Sequence, residues 1–494
     1  MQRKTNLLPY VSYAIILVGI ILRIIVYLQN RSLIIDEANL ARNIVEKDSL
    51  AFFKPLNYEQ YSPPLFSILS KINTQLWGIN EYALKLFPLL GGIFSLILLL
   101  ILCRILIEQY PARWYVLFLF SFSFLNVRYS TEFKQYSLDV ALVLLFILWT
   151  LKIKDRDFDL GLVIKLTLAG MVAVWLSMPI IFILAAMGVL FLYQSFKFKN
   201  IKLIPLLFMG GCWLFSFGLY YFSILHADAT SDYLQNFHRA YFFNLFPTSL
   251  ATFKHNIALL REFFYSISDK TFLSLAFVVI NFVVGIFYLI KHKRTEILLL
   301  LLPIIFCLIA SHLGKYSLIP RVSLFLLPLI ILIIGIGISC LWNKSNRYFK
   351  GLLVIIMLIS CINKKAHKIF LKKMEMEDSK GAMTYLKDHR NQDELIYVHH
   401  SGAPAFQFYN QMHDNSWHFK NYHIATWDEI PEASMPSLLN AESNKASKEE
   451  YYLFFSHTYP PAEIEKVIKS SEKIATKTAD YKSVEALVQK YKMK

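Results

Sequence analysis

Residues 31–42 read RSLIIDEANLAR. They follow directly on Pro9–Leu28, an apolar run about as long as a helix needs to cross a bilayer. An acid pair, Asp36 and Glu37, therefore stands where the lipid ends. Which face of the membrane it occupies, and what surrounds it, decides how the chain is read.

Similar runs recur along the 494 residues, which are 56% hydrophobic and 17% charged. About eleven spans are expected, centred near Ile20, Leu96, Leu119, Leu144, Val172, Leu184, Met209, Ile280, Ile304, Ile331 and Ile356. Arg3 and Lys4 precede the first run as in a signal peptide, but the run is long for one and no A-x-A-like site follows. It reads as an uncleaved span.

The short polar loops are basic: Arg104–Arg113, KIKDRDFD from Lys152, KFKNIK from Lys197, KHKRTE from Lys291 and NKSNRYFK from Asn343. Short basic loops face the cytoplasm. The two long loops, 29–85 and 226–270, then face outward with the acid pair, and an odd number of spans puts the tail outside as well.

The formal charge of +16 does not indicate nucleic acid. Residues 375–494 carry about four more acids than bases, so the basic excess belongs to the membrane half, where topology accounts for it. All five cysteines lie in or beside apolar runs, which leaves no disulfide framework or zinc site. No Walker or Rossmann glycine pattern is present, so an activated substrate has to arrive through the membrane.

The fold class expected is an all-α polytopic membrane protein, residues 1–363, with a small extracytoplasmic α/β domain over 364–494. In that tail DSKGAMTYLKDHR and PPAEIEKVIKSSEKI have helical spacing and start signals, while ELIYVHH and EEYYLFFSH read as strands. His399, His400, His413 and His418 do not repeat a metal-site spacing.

The first long loop contains YEQYSPPLFSILSKINTQLWG, whose double proline, Pro63 and Pro64, can open a helix lying at the interface. VRYSTEFKQYSLDV brings Arg128, Glu132, Lys134 and Tyr136 to the outer face, and HLGKYSLIPRVSLFLLPL brings His312, Lys315, Tyr316 and Arg321. Outer-face bases run against the topological bias, and an anionic ligand at the interface supplies a reason for them.

The acid pair after the first span, PPL opening a helix, EYALKLFPLLGG entering the second span, and a base followed by tyrosine in EFKQYSL together resemble the C-type (GT-C) membrane glycosyltransferases. The similar branch holds protein O-mannosyltransferases, bacterial aminoarabinose transferases and family-39-like bacterial proteins. The resemblance runs as far as residue 220, and YSLIPRVSLFLLPL extends it.

It implies an enzyme in the bacterial cytoplasmic (inner) membrane that moves a sugar from a polyprenyl-phosphate donor to a hydroxyl of a glycan, lipid or protein acceptor, with inversion. Asp36 would be the base and Glu37 its support. Lys85, Arg128, Lys134, Arg321, Tyr136 and Tyr61 would hold donor phosphate or sugar. Ser62 stands where the mannosyltransferases have histidine, and Lys85 and Lys134 stand where bacterial relatives favour arginine, so the bidentate fork is lost there.

Chemistry agrees with this assignment. A lipid phosphate leaves as a stable anion and needs positive charge rather than a second carboxyl. The acid pair is compatible with chemistry with or without a divalent cation.

Other readings compete residue by residue. Asp36 suits a helix cap with Glu37 in the first turn; Arg128, Lys134 and Arg321 suit snorkelling to headgroups; Tyr61 and Tyr136 suit interface anchors. For the whole chain the alternatives are a transporter of lipid-linked saccharides, which would need ionisable groups at mid-membrane, and a non-catalytic envelope scaffold.

Overall fold

The computed structural model describes residues 8–198, 202–268, 271–292, 294–361, 373–440, 449–458 and 460–494. Its first seven helices are α1 (Leu8–Leu28), α2 (Ile35–Glu46), α3 (Pro64–Trp77), α4 (Glu81–Leu106), α5 (Tyr110–Ser121), α6 (Phe124–Tyr129) and α7 (Tyr136–Ile153). All eleven expected span centres fall within helices. Seven helices are long and apolar enough to cross a membrane, and Leu160–Leu176 and Glu296–His312 are shorter apolar helices. This is a multi-pass membrane protein. The boundary expected near residue 363 lies outside the described residues.

The third expected span is broken. Its apolar run is continuous, yet α5 ends at Ser121 and α6 restarts with Ser123 as its cap. Arg23, fully buried in α1, donates from Nη1 to the carbonyls of Ser121 at 3.0 Å and Gly19 at 2.9 Å. A helix end inside the bundle must satisfy its last carbonyls, and Arg23 serves the end of α5.

Pro64 opens α3 at its first turn, as the double proline predicts. Midway along α3 Lys71 donates to the carbonyls of Ile44 and Lys47, which closes the C-terminus of α2. α3 stops at Gly78, whose φ of +85° favours glycine and whose missing side chain leaves room for Asp414 of the tail.

The tail holds the two helices expected from spacing, Ser379–His389 and Pro461–Ile474. Its sheet has five strands: β1 (Leu395–Val398), β2 (Tyr422–Ile424), β3 (Glu450–Ser456), β4 (Ala475–Ser483) and β5 (Ala486–Met493), in the order β2-β1-β3-β5-β4. β1 is parallel to β2 and β3, and β5 is antiparallel to β3 and β4.

One face of this sheet closes on tail residues alone, among them Leu395, Tyr451, Leu453 and Val467. The other does not. Ile396, Phe406, Phe408, Tyr409 and Phe454 share a core with Leu33, Leu40, Phe52, Phe66 and Phe133 of the membrane half. Each such side chain is worth about 1.5–3 kcal/mol on full burial, so the tail is fixed to the loop that follows α1.

In the bundle, Phe272–Lys291 and Leu327–Lys344 cross at glycines. A Cβ at Gly337 would overlap the carbonyl of Asn281, whereas one at Gly188 meets nothing within 4 Å. Gly337→Ala should therefore cost about 1–3 kcal/mol through overpacking, while Gly188→Ala should be nearly neutral. Thermal unfolding in detergent checks this, and equal stability of the two variants would contradict the crossing.

Candidate active site

The segment Ser32–Ile35 presents four consecutive backbone N–H groups, and each meets a side chain. Ser32 donates to Glu375 at 3.1 Å, Leu33 to the Tyr409 hydroxyl at 2.8 Å, Ile34 to Glu37 at 3.0 Å and Ile35 to Glu377 at 2.9 Å. Three of the four acceptors come from the tail. The expected aspartate cap is therefore absent. α2 begins one residue before Asp36, Ile34 has no polar side chain to cap with, and the first donors are already taken by Glu37 and Glu377. Asp36 is freed from capping and turns outward from the first turn.

Glu37 is wholly enclosed. Arg31 grips it through two bonds, Nη1 to Oε2 at 2.7 Å and Nη2 to Oε1 at 3.2 Å; the Phe133 N–H also donates to it, and Lys85 Nζ lies 4.0 Å away. Burial alone would raise its carboxyl, but Arg31 and then Lys85 outweigh this and hold it below the usual carboxylate range. A carboxylate so saturated ties α2 to the loop after α6. Glu37, expected as the support of Asp36, is thus enclosed with both carboxylate oxygens bonded.

Lys85 is equally enclosed, donating to the Arg31 carbonyl at 2.9 Å. Arg128 Nε binds Glu132 at 2.6 Å, and Glu132 also faces Arg31 at 3.9 Å. The bases of this loop thus form one chain of alternating charge, Arg128–Glu132–Arg31–Glu37–Lys85.

Asp36 stands apart from that chain. Its side chain is 36% exposed, and Arg321 Nη1 lies 3.5 Å from Oδ2, brought by the turn that precedes Leu327–Lys344. Lys134 is buried beside them and donates to Gln60 at 2.7 Å. Burial lowers the Lys134 ammonium below its usual value, opposed by the charge of Asp36. Tyr136 packs edge-on against Tyr129 at 5.1 Å, and Tyr61 pairs its hydroxyl with that of Tyr220. The structure thus brings Asp36, Arg321 and Lys134 together and keeps Glu37 and Lys85 in the enclosed layer beneath.

Several residues here lie outside the expected set of site residues. Glu81, at the start of α4, accepts from Tyr409 at 2.9 Å, Lys380 at 2.8 Å and His413 at 3.1 Å. Lys380 also reaches the Asn30 carbonyl at 2.6 Å. His457, just past β3, bonds Glu377 at 2.8 Å, so that imidazole, carboxylate and the Ile35 N–H form one line into α2. Glu81 opens the stretch EYALKLFPLLGG, whereas Lys380, Glu377 and His457 belong to no site motif, and the docked tail brings all four together.

Among the described residues no group of three or more His, Cys, Asp or Glu side chains is arranged to hold a metal ion. A cavity of about 280 Å³ lies at the opposite end of α4, lined by Arg104, Tyr110 and Arg113.

The fold is thus an apolar helical bundle with an acid pair held after the first span and a small sheet domain docked over it. Two solved structures of ArnT from Cupriavidus metallidurans share it over nearly their whole length. The apo form has a TM-score of 0.50 at 11% identity, covering 96% of this chain and 97% of that one. The form bound to undecaprenyl phosphate has a TM-score of 0.51 at 10% identity, covering 97% of each. No protein-family profile and no curated protein matches the chain.

The bridge from the tail to α2 carries a pH signature. The hydrogen bond that His457 makes to Glu377 raises His457, and burial raises Glu377, so both groups hold their proton more tightly in the folded chain. For His457 this stability is fully present below its ordinary value of 6.5 and is lost as pH rises through the raised one. His457→Gln should lower the unfolding temperature by roughly 1–2 °C near pH 6 and change it little near pH 9. Equal losses at both pH values would contradict the bridge.

Proposed function

We propose that this chain is a glycosyltransferase of the bacterial cytoplasmic membrane that transfers a sugar from a polyprenyl-phosphate donor to an acceptor hydroxyl, with inversion at the anomeric carbon. The reaction lies on the extracytoplasmic face, where the tail also sits. The observation that carries this reading is the contrast within the acid pair: Asp36 is half-exposed and faces a cation, while Glu37 beneath it is sealed.

Asp36 accepts the proton of the acceptor hydroxyl as that oxygen attacks C1 of the sugar. The bond from C1 to the phosphate oxygen breaks, and the lipid phosphate leaves with the bonding pair. Its place in the first turn of α2 leaves its carboxylate oxygens open to an acceptor hydroxyl, as a general base requires. Attack from the side opposite the phosphate inverts the centre.

The leaving anion needs fixed positive charge in a site with little water. Arg321 and Lys134 flank Asp36, and Arg128 is anchored nearby on Glu132. Around Asp36 itself two bases, Arg321 and Lys134, face one carboxylate. That imbalance suits a phosphate arriving as the missing counter-charge. Tyr61 and Tyr136 offer hydroxyls to sugar or phosphate. The undecaprenyl phosphate carried by the ArnT structure supports the lipid class; the acceptor, whether glycan, lipid or protein, rests on chemistry alone.

The acid pair separates base from support. Asp36→Asn should lower the rate of labelled-sugar transfer into membranes of a deletion strain by about 10²–10⁴-fold, with unfolding unchanged to within about 0.5 kcal/mol. Glu37→Gln should instead destabilise the fold by about 3–5 kcal/mol, because it strands the buried Arg31. Full transfer by Asp36→Asn would exclude Asp36 as the base.

A further inference from the structure

The parallel part of the tail sheet has a feature that the proposed base does not use. The chain leaves β1 for β2 on one side and then crosses back to β3 on the other, so the strand order reverses at β1. In open α/β sheets the crevice outside the carboxyl ends of the strands, at such a reversal, is where ligands bind. Here that edge carries His399 and His400 after β1, Trp427 after β2 and His457 after β3.

Three of these rings pack in a row, each tilted on the next. His399 and His400 have centroids 4.0 Å apart, and His400 and Trp427 3.9 Å apart with 32° between their planes. Trp427 is outermost and 73% exposed. A large indole held from behind presents a flat apolar face at no further cost in side-chain order.

Polar groups stand at its rim. Glu463 Oε2 lies 3.8 Å from His400 Nε2, with its side chain 45% exposed. His400 Nδ1 is buried and meets no hydrogen-bond partner among the described residues. A buried ring nitrogen without a partner is rare enough to need a reason.

We propose that this edge is a saccharide subsite, in which a pyranose ring of a glycan lies with its C–H face on Trp427 and donates hydroxyl protons to Glu463. The chemistry selects that class. An apolar face bordered by a carboxylate accepts hydroxyl donors and repels phosphates and sulfates. Burial also lowers both imidazoles, which disfavours their charged forms.

The subsite gives the tail a purpose within the transferase reading, on which its role as an acceptor site rests. His457 on the same edge is bonded to Glu377, and Glu377 to the N–H of Ile35, next to Asp36. A glycan seated at the edge is therefore held by the same body that fixes the base.

The full chain in nanodiscs, probed on an array of bacterial polysaccharides and oligosaccharides, tests binding without requiring transfer. Wild type should bind at least one glycan, Trp427→Ala should lose at least tenfold of that signal, and Trp427→Phe should retain most of it. No signal on any glycan, or equal signal from wild type and Trp427→Ala, overturns the subsite. So does quenching by brominated lipids of the fluorescence that Trp427→Phe removes, because it places the indole among headgroups. Transfer assayed in parallel keeps the two claims apart: no glycan signal from wild type with transfer intact overturns the subsite alone, and bound glycan without any transfer overturns the enzyme reading.

Discussion

The four N–H donors of Ser32–Ile35 are the constraint on which the site depends. They sit between a membrane helix and α2, where a chain emerging from lipid has no strand or helix partner for them. Leaving one buried and unpaired costs about 1–3 kcal/mol. One is satisfied locally by Glu37, and three by Glu375, Tyr409 and Glu377 of the tail. The tail thus completes the start of α2 and sets the direction in which Asp36 points.

This arrangement divides the charges by depth. Beneath, Arg31, Glu37, Lys85, Glu132 and Arg128 neutralise one another in a connected layer that holds loop, α4 and the segment after α6 in register. Above, Asp36 and Arg321 remain partly open. A site that binds an anionic donor and moves a proton needs both layers: rigid support below, and groups free to meet substrate above. The shared apolar core of tail and loop supplies the rigidity, since moving the sheet would expose Phe66, Phe133 and Phe406 together.

Much of this was legible in the sequence. Run length and loop charge located the helices, and the double proline located the start of α3. Period and caps located both tail helices and the strands β1 and β3. The hairpin of β4 and β5 gave no such signal, because ATKTADYKS is mostly polar and ALVQKYKM has an apolar start broken by Gln489, Lys490 and Lys492. The break between α5 and α6 was equally hidden: hydropathy is continuous there, and the cause is Arg23, about a hundred residues earlier in the chain. Asp36 could be singled out by position after the first span. Its neighbours Glu377 and His457 could not, because single side chains more than three hundred residues away join α2 only once the sheet has docked.

The central claim is that one carboxylate and a cradle of bases suffice, with the lipid phosphate displaced in a single step. The anomeric configuration of the product, read by NMR after transfer from a polyprenyl-phosphate sugar of known configuration, tests it most directly. A single displacement at Asp36 predicts the opposite configuration to that of the donor. A product that retains the donor's configuration would require a second nucleophile and would contradict the account.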